Sequence, residues 1–181
     1  MAVFGDEFFE TPAGQTIAGA HRYLSAARLL RFSEDWGQKL QTPVLHLLAH
    51  GVELLLKYPL LASGASPRDV AIKYGHDLVK LWNDRENRFL RPLILDRSEK
   101  AWEESRVSGA WPCDNFALDP RQELKFALDK LSYLHSRDSG YALRYIITPN
   151  TSAPRPGFLI DVFDEVAERG AKNPTLLTQS W

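Results

Sequence analysis

Four side chains able to hold or move charge recur within one short segment: His46, His50, Glu53 and Lys57. At about 100° per residue they fall within about 60° of one another on one side of a helix. Nearly everything between them is apolar, from Val44 and Leu45 to Leu54, Leu55 and Leu56. A helix apolar around most of its circumference sits centrally in a fold. The polar stripe therefore stays solvated, lines a cleft or meets a second copy of the chain. His46 and His50 have the i,i+4 spacing that puts two imidazoles on one metal, with Glu53 a conceivable third ligand. The segment HLLAH lacks the Glu that follows the first His in the hydrolytic zinc helix, so the reading assigns no metal and no cofactor. Glu53 and Lys57 form an i,i+4 pair in the favoured order, worth about 0.2–0.5 kcal/mol when exposed. Buried, the same pair would cost about 3–5 kcal/mol to break from one side.

His76 and Asp77 form a second candidate at a tight turn. Asp77 has an evident use as a helix N-cap. His76 has none that the sequence requires, and an imidazole near neutrality can donate, accept or transfer a proton. Arg85 falls on a face that also carries Leu78, Leu81, Trp82 and Phe89. Buried there, it needs a carboxylate, Glu53 being one, or must reach out to water. His135 continues the Leu124, Leu128, Leu131 face and reads as a core histidine with a satisfied partner. Other chemistry fails on inspection. The chain has no glycine-rich phosphate loop and no Gly-x-Ser-x-Gly elbow. Its one cysteine, Cys113 in WPCDNF, has no motif that would lower its pKa and no partner for an intrachain disulfide. Arg85, Arg88, Arg91, Arg97, Lys100 and Arg106 alternate with Glu86, Asp96, Glu99, Glu103 and Glu104, which makes a poor phosphate track.

The elements that must position these groups are helical. The 181 residues carry 22 Lys+Arg against 23 Asp+Glu and 44% apolar residues, the composition of one globular domain with no general attraction for polyanions. The acidic first residues, MAVFGDEFFE, and the lack of an obvious membrane-spanning stretch point to a cytoplasmic protein without a membrane partner. Periodicity and capping predict helices over about 13–33, from Thr42 and Pro43 to about Leu56 with Pro59 bending or ending it, over 67–74 stopped by Gly75, from Asp77 towards Leu90, about 93–105, about 18 residues from Pro120, and 158–169. Residues 142–148 are the sole strand candidate, and 148–157 reads as a loop. The expectation is a single all-α domain over 1–181, an up-and-down bundle of five to six helices.

The run HLLAHGVELLLKYPLLASGAS followed by KYGHDLVKLW resembles HEPN-like proteins, the helical domains named for higher eukaryotes and prokaryotes nucleotide binding. The matching positions are His50, Glu53 and Lys57, then Gly75, His76, Asp77 and Leu78, and Arg144-Tyr145 resembles a late Arg-Tyr pair of one branch. The likeness is strongest over 42–90 and diffuse over 120–146. It implies a helical bundle, often a homodimer, in toxin, phage-defence or RNA-related systems. Nuclease members carry an Arg, usually followed by a polar residue, with a His about four to six positions beyond. Here Arg68 and His76 enclose seven residues, His135 precedes Arg137, and no His follows Arg144. What the resemblance implies is a domain without an intact ribonuclease motif that binds a nucleotide, an RNA or an antitoxin-like protein through a groove of His46, His50, Glu53, Lys57, His76, Asp77 and Arg144. The alternatives are a divergent metal-independent ribonuclease using His50, Lys57, His76 or Arg85, and a non-catalytic dimeric scaffold.

Overall fold

A computed structural model of the chain describes residues 6–34, 39–111, 115–145 and 151–179. The regular structure among the described residues is all helical, with no strand. They form eight α-helices and three short 3₁₀ turns, more elements than the five to six helices expected. The first two are α1 (Asp6–Glu10) and α2 (Pro12–Arg31). Thr11 caps α2 by accepting from the Gly14 N–H, and Pro12 takes the first helical position. Ile17, Ala20, Leu24 and Ala27 form its fully buried stripe, the one its spacing predicts.

The central element is α3 (Gln41–Ala62). It packs along α2 and touches most of the later helices. Gly51 allows that closeness, since a Cβ there would lie 2.6 Å from Leu24 Cγ. Two expectations fail on α3. Thr42 is not its cap: the helix begins at Gln41, the N-cap Leu40 supplies no side-chain bond, and Pro43 lies within the first turn, where its missing donor costs nothing. Pro59 does not end it either. Tyr58, Pro59 and Leu60 are all buried, and their packing carries the helix past the lost bond to Ala62. By length and composition α3 would pass for a membrane span, contrary to the sequence expectation, but most of that stretch is buried inside the fold.

The predicted helix from Asp77 to Leu90 is three pieces. After α4 (Pro67–Tyr74), capped by Ser66 and ended by Gly75 at φ 53°, comes α5 (Leu78–Trp82), which Asp77 caps through Lys80 N–H. Asn83 and Asp84 then stop the helix, because Asp84 turns its carboxylate to the Glu86 N–H of a 3₁₀ turn, Arg85–Arg88. Asn87 locks that turn to the core by donating to the Leu56 and Leu81 carbonyls, 2.9 and 2.8 Å. The next helix, α6 (Leu90–Ser108), runs well beyond the expected 93–105. Asp119 caps α7 (Pro120–His135), as predicted. Residues 142–145 form turns rather than a strand, and 146–148 lie outside the described residues. The loop expected to reach 157 stops earlier, because α8 (Pro156–Lys172) starts at Pro156. This last helix is buried against α2, α3 and α6.

Two contacts fix what matters next. Ser132 on α7 accepts from the Leu78 N–H at 2.9 Å, so the start of α5 is pinned to α7. Beyond α7, Gly140 and Tyr141 are both left-handed, φ 67° and 58°. The chain doubles back there, Tyr141 N–H donating to Ser136 and Leu143 N–H to Leu134. That turn returns residues 141–144 to the 76–77 turn.

Candidate functional site

Glu53 lies at the centre of the converging elements. It is buried, 3% exposed, on the face of α3 turned towards α7. Its Oε1 accepts from Lys57 Nζ at 2.5 Å. Its Oε2 accepts from His76 Nδ1 at 2.9 Å and from His135 Nε2 at 2.7 Å. Burial alone would raise the Glu53 pKa, but bonds from His135, His76 and Lys57 outweigh it and hold the carboxyl well below the usual range. Lys57 has a second acceptor, the Gly75 carbonyl at 2.9 Å, so the ammonium also fastens the turn that carries His76.

Four of the five histidines gather around this carboxylate. His135 is buried, with its ring 5.1 Å from His76, 6.2 Å from His46 and 6.5 Å from His50, centre to centre. His50 meets Tyr23 of α2 edge to face at 4.4 Å. Burial pushes the pKa of both His46 and His50 down, aided for each by His135. Both are therefore neutral at physiological pH. Among the described residues, Nδ1 of His46 and Nδ1 of His135 are buried without a hydrogen-bond partner. Donor atoms of His50, Glu53 and His135 lie within 4.8 Å of one another, close enough to invite a metal ion.

His76 connects this interior to the surface. Its Nδ1–H is fixed on Glu53, which leaves Nε2 as the free nitrogen. Arg144 Nη2 lies 3.3 Å from Nε2. The same guanidinium sits 5.4 Å from the centre of the Tyr141 ring, and Tyr141 meets His76 edge to face at 6.0 Å. A cleft of about 480 Å³ opens at His76 and Tyr141, with Tyr74, Tyr133, Arg137, Asp77, Asp129 and Asp138 also among its walls.

The structure thus brings His46, His50, Glu53, Lys57, His76 and Arg144 into one constellation. Asp77 is adjacent but occupied, capping α5 and accepting from Ser132 at 3.4 Å. Arg85 is a correction: it is exposed on the 3₁₀ turn and faces neither the core nor the groove, because Asn83 and Asp84 end the helix whose face would have buried it. Glu53 takes His135 instead of Arg85. No family model, curated protein or solved structure matches the chain. Its function therefore has to be argued from these contacts. Sequence reasoning placed His135 in the core without linking it to the site. A buried imidazole asks for a partner, but nothing local points to a carboxylate 82 residues away. Tyr141 carried no signal, since its role depends on a left-handed backbone that only the folded turn reveals.

Proposed function

We propose that this chain is a HEPN-like binding domain whose His76–Arg144 edge takes the phosphate of a nucleotide or of single-stranded RNA. The observation that carries the reading is the line Glu53–His76–Arg144. A buried carboxylate sets the imidazole tautomer, and an exposed guanidinium rests on the outward nitrogen. Arg144 has the planar donor fork suited to phosphate, already ordered over Tyr141. The neighbouring cleft has the size of a small-ligand site. Tyr133, 55% exposed, and Tyr141 offer faces on which a base can stack. Asp77, Asp129 and Asp138 line the cleft and repel phosphate, which favours its placement at Arg144, on the outward nitrogen of His76. The homodimer, the antitoxin-like partner and the toxin or phage-defence setting come with the family resemblance and belong to the same proposal.

A second reading, a divergent metal-independent ribonuclease, draws on the same line. An imidazole oriented by a carboxylate beside a cation can move a proton while phosphoryl charge is stabilised. One experiment separates the two. Fluorescence anisotropy with labelled single-stranded RNA and with a labelled nucleotide compares wild type, Arg144→Ala and His76→Asn across a salt series. The binding reading expects affinity that falls with salt, a slope reduced by about one unit in Arg144→Ala, and RNA recovered uncut. RNA cleaved by wild type and intact with folded His76→Asn would transfer the assignment to the ribonuclease. Binding identical in wild type and Arg144→Ala would remove the site.

A further inference from the structure

The inner side of the cluster is separate from the edge at Arg144, and the phosphate reading uses none of it. We propose that His46, His50 and His135 form a binding site for a divalent transition-metal ion of the zinc class, with Glu53 orienting His135 from behind. Three observations converge. His46 and His50 are one helical turn apart on α3, the spacing that lets two imidazoles share an ion. The third ring, His135, comes from α7 and lies 6.2 and 6.5 Å from them. Two imidazoles on one tetrahedral ion, bound at about 2.0–2.1 Å, have centres about 5 Å apart. Closure asks the rings to approach by about 1 Å or more, and His46, which lies outside the 4.8 Å group of His50, Glu53 and His135, must turn in furthest; both α3 histidines are half-buried side chains with room to do so.

The second observation is the unpartnered nitrogens. His135 Nε2–H is held by the carboxylate, so its Nδ1 presents a bare lone pair, and the imidazole is 1% exposed. A carboxylate on one nitrogen and an ion on the other is the arrangement that fixes metal-ligating histidines. His46 Nδ1 is likewise buried without a partner among the described residues. Native interiors seldom leave such atoms empty-handed. An ion between the rings would satisfy both.

Third, the donor set suits a metal of this class. The donor atoms of His50, Glu53 and His135 are mutually close, yet Glu53 already accepts three hydrogen bonds on its two oxygens. It therefore orients a ligand rather than serving as one. Nitrogen donors favour zinc, cobalt, nickel or copper over magnesium and calcium.

The test uses the untagged full chain, stripped with a chelator. Zinc is titrated in competition with a chromophoric chelator, and cobalt is added as a spectroscopic probe. The expected result is one ion per chain, with visible cobalt bands of tetrahedral intensity. Affinity should fall by about tenfold or more in His46→Ala and in His50→Ala and stay unchanged in His21→Ala, the histidine outside the cluster. Both cluster substitutions lie at half-buried positions, and circular dichroism confirms that the helices persist. The proposal is overturned if wild type binds no zinc at micromolar concentrations, if His46→Ala and His50→Ala bind as wild type does, or if His21→Ala abolishes binding. It does not depend on the phosphate reading: Arg144→Ala removes a cation that acts on His46 and His50 from outside the site, so zinc should bind that variant no more weakly than wild type.

Discussion

Replacing Glu53 by Gln tests the architecture at its most connected atom pair. The substitution preserves shape and removes the charge. Three donors converge on the carboxylate: Lys57 on one oxygen, His76 and His135 on the other. An amide has one oxygen to offer and directs N–H groups at whatever faced the second. At least one donor is then left opposing another donor. The Glu53 side chain is 4% exposed and that of Lys57 14%, so water can rescue neither fully. An exposed i,i+4 pair would contribute about 0.2–0.5 kcal/mol. Removing one partner of a buried pair costs about 3–5 kcal/mol, much of it the stranded opposite charge. The buried value applies here, and for a chain of this length it lowers Tm by about 6–20 °C. The assay is urea unfolding followed by far-ultraviolet circular dichroism at neutral pH, read as a shift in midpoint at constant slope. If the stranded ammonium causes the loss, Glu53→Gln/Lys57→Met should recover about 1–3 kcal/mol of it. A Glu53→Gln loss below about 1 kcal/mol, the range of an exposed ion pair, would refute the reasoning. Glu53 would then be solvated and the cluster no more than a surface stripe.

Two further perturbations probe the scaffold. Gly51→Ala gains about 1 kcal/mol of helix propensity but sets a methyl 2.6 Å from Leu24 Cγ and 3.2 Å from the Leu24 backbone nitrogen. Overpacking costs about 1–3 kcal/mol, so the net change should be destabilising in a thermal melt, and a more stable Gly51→Ala would show that α2 and α3 are not in such close contact. Tyr58 donates its buried hydroxyl to the Pro174 carbonyl at 2.9 Å, and burial pushes its pKa up to about 12. Unfolded tyrosine ionises near pH 10, so the unfolded chain loses this proton first. The contribution of Tyr58 is therefore complete below about pH 10 and fades as pH rises towards 12. Tyr58→Phe should cost about 0.5–1.5 kcal/mol at neutral pH and show a shallower alkaline decline. Parallel declines of the two proteins between pH 10 and 12 would contradict the assignment.

What the sequence disclosed followed from local rules. Caps at Ser66, Asp77 and Asp119, the stop at Gly75 and the buried stripe of α2 each depend on residues within one or two turns, and the structure matches them. Failures arose where distant packing prevails. Pro59 stays helical because Tyr58 and Leu60 are buried on either side. Arg85 left the core because Asn83 and Asp84 offered the backbone an alternative to a continuous helix, which Asn87 then anchored to α3. The site divides the same way. The polar stripe of α3 and the 76–77 turn were legible as candidates, and the structure joins them through Glu53, Lys57 and His76. The contributions of His135 and Tyr141 were not, since one depends on a contact across 82 residues and the other on two successive left-handed residues.

The hydrogen bonds already made narrow what the constellation can do. Lys57 commits two of its three donors to Glu53 and the Gly75 carbonyl, so its ammonium fastens the turn that holds His76. His135 is sealed inside, Asp77 is committed to α5, and Arg85 is elsewhere. His46 keeps an unpartnered nitrogen among the described residues, and both His46 and His50 lie against His135 in the interior cluster. Only His76 and Arg144 combine a fixed orientation with an open side, the His76 side chain being 32% exposed. On the proposed reading, a ligand arriving from solvent meets those two first. Glu53 makes that encounter definite, because the carboxylate that fixes the inner histidine also determines which nitrogen His76 turns outward.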